Sequence, residues 1–440
     1  MNSARVRYTT LVLVLVAVFN LIDRQILAIL IEPIKRDLQL SDTAMGVLTG
    51  FAFVALYTLT SVPIARLADS ANRRTIIAVA LAFWSVMTAL SSLATSFTQL
   101  ALARVGVGIG ESATAPASHS MLSDLFPPAR RALALSLLAT ASPVGIMIAF
   151  VVGGWLNDTV GWRMTLVCAG VPGLVLALVV RLTVREPERG ASEERAADTT
   201  HYGFGVTLRY LLRSPAFVWL TLGAALSNFA IMSVIVWSSS FLVRVHDVPI
   251  ATAGLWLGVA TGLGGLSGGP LAGWLVSRLS RRDVGWLLRL PALTSVLAAP
   301  FIALYLVLPP TEALASFYVG AVCCAAVLGP VTAAAQEVAK VRMRATAAAL
   351  LILTLNFVGS GLGPLAVGTV SDLLAPTLGD SSIRAGMWLA VAATLAAAAC
   401  FGVGAGHLRA GQAEASRIDS SARSASISAD GLLPASVERN

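Results

Sequence analysis

The sequence predicts an all-α membrane protein with twelve transmembrane helices in two pseudo-symmetric six-helix bundles and both termini in the cytoplasm. Three observations predict it: an apolar composition, twelve apolar runs, and one sequence offset that lays half of the chain on the other. Of the 440 residues, 56% are hydrophobic and 12% charged, with a mean hydropathy of +0.79. A soluble domain has no use for that much apolar surface, whereas repeated spans of about 20 residues do. The net charge of +8 sits in short clusters between apolar runs. That pattern fits topology-setting loops and argues against a nucleic-acid surface.

In order, spans 1 to 12 lie near 8–30, 44–65, 75–95, 98–121, 132–156, 164–183, 215–241, 251–274, 284–308, 312–337, 345–370 and 384–408. The charged stretch VREPERGASEERAADTTHYGFG divides them six and six. The chain therefore reads as an N-terminal bundle (1–183), a cytoplasmic linker (184–214), a C-terminal bundle (215–408) and a Ser/Ala/Arg-rich tail (409–440) expected to be disordered. The first run lacks a small-residue cleavage site and is long enough to span, so it is expected to remain as span 1. Cys168, Cys323, Cys324 and Cys400 fall within apolar runs and have no partner at metal spacing, so they read as packed thiols.

Orientation follows from the loop cations. With the N-terminus inside, Arg5, Arg7, Arg66, Arg73, Arg74, Arg130, Arg131, the linker arginines, Arg278, Arg281, Arg282, Lys340, Arg342 and Arg344 share one side. The other side keeps Lys35, Arg36, Arg163, Arg244 and Arg384. That bias puts both termini in the cytoplasm of an inner (plasma) membrane protein.

The halves repeat. A shift of 208 residues lays ARLADSANRR (65–74) on GWLVSRLSRR (273–282), Asn20 on Asn228, Gly46 on Gly254 and Gly50 on Gly258. Near 213 it brings RRALA (130–134) onto MRATA (343–347). Two duplicated six-helix halves are a transporter architecture, with the substrate held between them near mid-membrane.

Span 4 carries the sharpest signal. Arg104 and Glu111 lie inside it, seven residues apart and so on one face. Charges within a span are costly and mark a functional site by default. Asp23 sits roughly 10 Å inside the outer end of span 1 and Arg104 roughly 9 Å inside that of span 4, so the two share a depth and are able to pair. Glu111 lies about 10 Å further in, where an unpaired carboxylate is costly to ionise and suits proton exchange. Arg104 is then a switch in principle, facing Asp23 or Glu111 in turn. The competing reading is one buried ionic network that fixes helix packing.

Other positions carry two readings each. Asn20, one turn before Asp23, and its mate Asn228 bind a ligand headgroup or tie helices together. Phe229, Trp237 and Trp256 form an apolar wall or interfacial anchors. Ser112, Thr114 and Asn356 complete the candidate cavity. His119 reads as a core or interfacial histidine with a proton role as the alternative, and Gln336 and Glu337 are expected to meet water. Asp69, Arg73, Arg74, Arg281 and Arg282 form a cytoplasmic gate or serve topology alone. No phosphate-cradling loop, metal cluster or nucleophile elbow occurs, so neither an enzyme nor an ATP-driven pump is expected, and the proton is the expected coupling ion.

Twelve spans, the six-six split and the basic loops after spans 2 and 8 resemble the major facilitator superfamily. Its loop pattern, Gly-x-x-x-Asp-Arg-x-Gly-x-Arg-Arg, is matched by Asp69, Arg73 and Arg74, with Ala65, Ser70 and Asn72 departing from it. The second copy keeps Gly273, Arg278, Arg281 and Arg282 but has Ser277 for the acid. The segments NLIDRQILAILIEPIKRDLQLSDTAMGVLTG, PIARLADSANRR, ARVGVGIGES and SHSMLSDLFPPARRALALS further resemble the spinster-like branch. That resemblance implies proton coupling through Asp23, Arg104 and Glu111, and a substrate of lysophospholipid or sphingoid type moved outward. A small organic anion, a sugar or a drug is the alternative substrate, and a non-transporting sensor or scaffold the alternative class. The superfamily resemblance implies a monomer in the lipid bilayer.

Overall fold

A computed structural model of the chain describes residues 3–187, 204–340 and 343–430. Nine helical runs among these residues are long and apolar enough to cross a membrane. Two of them, Leu133–Thr183 and Arg344–Ala410, are 51 and 67 residues long, and each holds two predicted spans. Span 4 is made of two shorter helices, Phe97–Glu111 and Thr114–Leu125. All twelve predicted spans are therefore helical, and no strand occurs among the described residues. The final helix runs from Ser382 to Asp430, past the 408 boundary drawn from composition.

Several helix starts are written in the sequence as capping residues, whose side chains accept an otherwise orphaned backbone N–H. Ser41 accepts from Ala44, Asn72 from Thr75, Ser96 from Gln99 and Ser214 from Phe217, with Pro215 opening span 7. Spans 5 and 6 join at Gly161, whose φ of +79° a residue with a side chain rarely adopts. Leu133, Leu182 and Leu373 are 73%, 70% and 72% exposed, as befits an outer surface solvated by acyl chains.

Irregular turns occur in both halves. Span 4 breaks at Ser112–Ala113, and its mate, span 10, breaks between Ala325 and Leu328. Span 2 widens into a π-helical turn at Val47–Phe51 and span 11 into a longer one at Leu355–Leu362. Such turns interrupt the regular ladder and recur at functional sites.

Duplication also builds the seams between the bundles. Spans 2 and 8 are sequence mates, and each presses its glycines on the opposite half. A Cβ on Gly46 would lie 2.7 Å from the Pro364 carbonyl oxygen of span 11, and one on Gly254 would lie 2.3 Å from that of Phe150 in span 5. Glycine is what lets these backbones meet.

Candidate functional site

Asp23, Arg104 and Glu111 are brought together and fully buried, at 0%, 1% and 1% exposure. Arg104 and Glu111 share the helix Phe97–Glu111, and Glu111 is its last residue before the break. Thr114 bonds back to the Glu111 carbonyl at 2.8 Å and Ser112 to that of Ile109 at 2.7 Å, so these two hydroxyls stabilise the break. Thr60 of span 2 adds a bond to Ser112 at 3.1 Å.

Arg104 reaches Asp23, but not as an ion pair. Its Nη1 donates to the main-chain oxygen of Asp23 at 3.1 Å, while the carboxylate turns to span 3 and accepts from the Trp84 indole at 2.8 Å. The shared depth deduced from the sequence is observed; the side-chain pairing is not. Asp23 Oδ1, Arg104 Nε and Nη2, and both carboxylate oxygens of Glu111 are buried without a hydrogen-bond partner. Buried polar groups are nearly always satisfied, so such a cluster in one place needs a cause.

A fourth charge belongs to the site: Arg24, which the sequence offered only as a neighbour of Asp23 that snorkels and shares its charge. Arg24 of span 1 crosses to the second half, donating to Ser360 Oγ at 3.4 Å and lying 3.5 Å from Asn356 Oδ1. Its guanidinium sits 5.0 Å from the Phe53 ring centroid, with that of Arg104 at 5.6 Å from the same ring. The signal was available: Arg24 is a cation inside a span, flagged by the rule that flagged Arg104. Asn228 donates to Ser360 Oγ at 3.2 Å and to the Leu355 carbonyl at 2.8 Å. Arg24, Ser360, Asn356 and Asn228 thus form a polar bridge between the halves at the π-helical turn of span 11.

Asn228 also lines a chamber of about 390 Å³ between spans 5, 7, 8, 9, 10 and 11. Its walls are largely apolar, with Ile146, Ile231, Met232, Ile235, Ile302 and Phe317 among them. That volume falls within the roughly 300–1,000 Å³ of small-molecule sites. A second cleft, of about 10 Å³, adjoins Arg24, Gln25, Thr49 and Ser360 and shares Met232 with the chamber. It has room for about one water.

The remaining candidates are placed as follows. Asn20 is half-buried with its Nδ2 unpartnered. Phe229 packs on the central apolar cluster. Trp237 is fully buried and its indole donates to the Pro364 carbonyl at 2.9 Å, which ties span 7 to span 11. On the linker face, Arg73 is 1% exposed and binds Asp124 (2.5 Å), Glu186 (2.7 Å), Ser120 (2.8 Å) and the Pro187 carbonyl (3.0 Å). Its partners all lie in the first half or at the start of the linker. Arg74 bonds the Val184 carbonyl at 3.3 Å. Arg281 and Arg282 are exposed. The side chain of Asp69 lies outside the described residues.

On the opposite face a second ionic cluster joins the halves. Arg244 at the end of span 7 donates to Glu32 at 2.7 Å and to both oxygens of Asp42 at 2.7 and 2.5 Å. Lys35 (2.6 Å) and Ser371 (2.7 Å) complete the shell of Asp42. Asp372 of span 11 accepts from the backbone N–H groups of Asp42 and Thr43 at 2.9 and 2.7 Å, capping the start of span 2 from the other half.

Two duplicated helical bundles, with ionisable groups and a chamber at their junction, are the architecture of a membrane transporter. The Major Facilitator Superfamily model matches residues 13–364, and the chain belongs to that superfamily. It is similar to an MFS-type efflux pump of Mycolicibacterium smegmatis, 34% identical over 410 residues that cover 90% of this chain and 92% of that one. It is also similar to the sphingosine-1-phosphate transporter SPNS2 of Danio rerio, 26% identical over 385 residues that cover 83% and 76%. Among solved structures it resembles a bacterial homologue of the human lysosomal transporter Spinster in an inward-facing, unoccupied conformation. That match has a TM-score of 0.82 and 29% identity, covering 93% of this chain and 98% of the other. The chain is a multi-pass membrane transporter with spinster-like relatives.

Proposed function

We propose that the protein is a proton-coupled transporter that exports an amphiphile with an anionic head and an apolar chain, of lysophospholipid or sphingoid type. The observation that carries the coupling is the set of buried, unpartnered polar atoms on Asp23, Arg104 and Glu111. A network kept only for packing would satisfy its members; this one leaves room for a proton or water to arrive and leave. Arg104 is placed to favour whichever carboxylate is ionised, and alternating access changes which one that is.

The amphiphile is supported by the contrast between the apolar chamber and the polar bridge of Arg24, Asn356, Ser360 and Asn228 at its edge. Arg24 suits an anionic head, and the aliphatic walls suit a chain. A relative that transports sphingosine-1-phosphate and another named as an efflux pump support the substrate type and the outward direction. The protein works as a monomer in a bacterial inner membrane, linker and termini in the cytoplasm, and without a cofactor. The efflux-pump relative also favours a second reading, in which the chamber takes a small organic anion or a drug.

The test is proton movement in proteoliposomes under an imposed pH gradient. Lysolipids, sphingoid phosphates, sugars, drugs and small acids are added in turn to wild type and to Glu111→Gln. Flux evoked by the amphiphiles and abolished in the variant is the expected result. Flux that survives the substitution would remove Glu111 from the cycle. Flux with small acids or drugs alone would favour the second reading, and none with any compound would favour a sensor.

A further inference from the structure

Trp84 occupies a position that nothing in its sequence surroundings marks. It lies in span 3, fully buried, and its indole N–H donates to Asp23 Oδ2 at 2.8 Å. Its other side is fixed by span 4: a Cβ on Gly110, next to Glu111, would lie 2.8 Å from Trp84 Cβ. Trp84 is therefore wedged between Asp23 and the residue before Glu111, with little freedom to withdraw. An indole N–H only donates, so it bonds the carboxyl oxygen of Asp23 whatever the proton does.

The geometry has a consequence for Arg104. With its carboxylate turned to Trp84, Asp23 offers Arg104 its main-chain oxygen, and Arg104 Nε and Nη2 are left without partners. Arg104 on span 4 is the charge acting on Asp23, while Glu111 is faced by Arg24 and Asp23 on span 1, by Arg104 on its own helix and by the Tyr57 phenol on span 2. Thr88, one turn along span 3 from Trp84, is buried beside Asp23, and its hydroxyl acts on the same carboxyl.

We propose that Trp84 is a positioning residue of the transport cycle, whose indole holds the Asp23 carboxylate against span 3 and so keeps Arg104 available to Glu111. This rests on the reading of Asp23, Arg104 and Glu111 as coupling groups. Removing the indole donor releases Asp23 to rotate towards Arg104, which ties up the cation that Glu111 would otherwise meet.

The test is Trp84→Phe, which keeps the Cβ packed on Gly110 and an aromatic ring beyond it, and removes the N–H. Two signals are followed: the Asp23 carboxyl band, isolated as an infrared difference against Asp23→Asn, and the pH profile of substrate-driven proton flux. The expected result is a shifted Asp23 band and a profile displaced by about one pH unit, tenfold in proton concentration, the scale of one hydrogen bond. An unshifted band and a superimposable profile would overturn the proposal even if Glu111→Gln abolishes coupling. A shifted band in a protein whose wild type moves no protons would instead bring down the coupling reading, and the role of Trp84 with it. Should Trp84→Phe fail to fold, the indole 15N–1H spectrum of Asp23→Asn replaces it. One of the nine tryptophan signals moves if the bond exists, and none moves if it does not.

Discussion

The cluster around Arg244 makes a quantitative prediction about which face the protein opens. Arg244, Glu32 and Asp42 are 8%, 5% and 2% exposed as side chains, so solvent screens their attraction little. Arg244→Met keeps much of the apolar volume but strands two carboxylates in the closed state. In the open state water solvates both, so the substitution acts on the closed form. Breaking a buried pair costs about 3–5 kcal/mol. Lys35 stays on Asp42 and offsets part of that, leaving roughly 2–3 kcal/mol, a shift of about 30- to 150-fold towards the open face. A cysteine at Ser240, one turn before Arg244 and fully buried, reports the opening through its rate of thiol modification. Cys168, Cys323 and Cys324 are replaced by alanine, and the buried Cys400 is kept as a control for global unfolding. Modification at position 240 is expected to accelerate by that factor, with Cys400 unchanged. A rate within twofold of the parent would show that the cluster contributes nothing to closing this face.

Two further outcomes follow from the ion pairs. Arg73→Lys cannot reproduce the fork that grips Asp124, Glu186, Ser120 and the Pro187 carbonyl, so thermal unfolding in detergent is expected to show a loss of about 3 kcal/mol; unchanged stability would show the contacts to be idle. Between spans 1 and 2, the hydrogen bond from Arg163 holds the Asp37 carboxyl below its ordinary 3.8. A group with a lowered folded pKa stabilises the fold above its unfolded value and loses that effect as pH falls through the folded one. The gap in Tm between wild type and Asp37→Asn is therefore expected near neutral pH and to close in acid, and a gap that persists unchanged would remove the pair as its cause.

Much of the architecture was legible because a bilayer simplifies the code. Apolar length gave the spans, Ser41, Asn72, Ser96 and Ser214 stood where helices begin, and one offset exposed the duplication. That offset also carried packing information, since Gly46 and Gly254 are sequence mates and both serve the seams. Depth was legible too: counting residues placed Asp23 and Arg104 at one level, and they touch. What counting along a helix does not fix is which way each helix turns and which neighbour it meets. Trp84 and Asp23 are 61 residues apart, and Arg244 and Asp42 are 202 apart. Neither pairing has a local sequence signature, because each depends on how whole helices pack.

The two ionic centres differ in bonding in a way the sequence alone does not show, and under the proposed cycle they would divide its work. The Arg244 cluster is rich in bonds: Asp42 has donors from two halves, and Asp372 caps a helix across the boundary. It is a satisfied network, suited to holding one face shut. The Asp23, Arg104 and Glu111 site is equally buried yet poor in bonds, with five of its polar atoms unmatched. Satisfied charges resist change; unsatisfied ones respond to the arrival of a proton or an anion. Span 1 carries Asp23 and Arg24 and, after a break at Leu30, leads into the helix Ile31–Leu38 that bears Glu32, so the two centres are neighbours along one stretch of chain. Under the proposed coupling, a proton that alters the bonding of Asp23 would act on the helix that precedes the one bearing Glu32. Coupling between the two needs span 1, unbroken from Ser3 to Ile29, to carry the helix Ile31–Leu38 with it across Leu30.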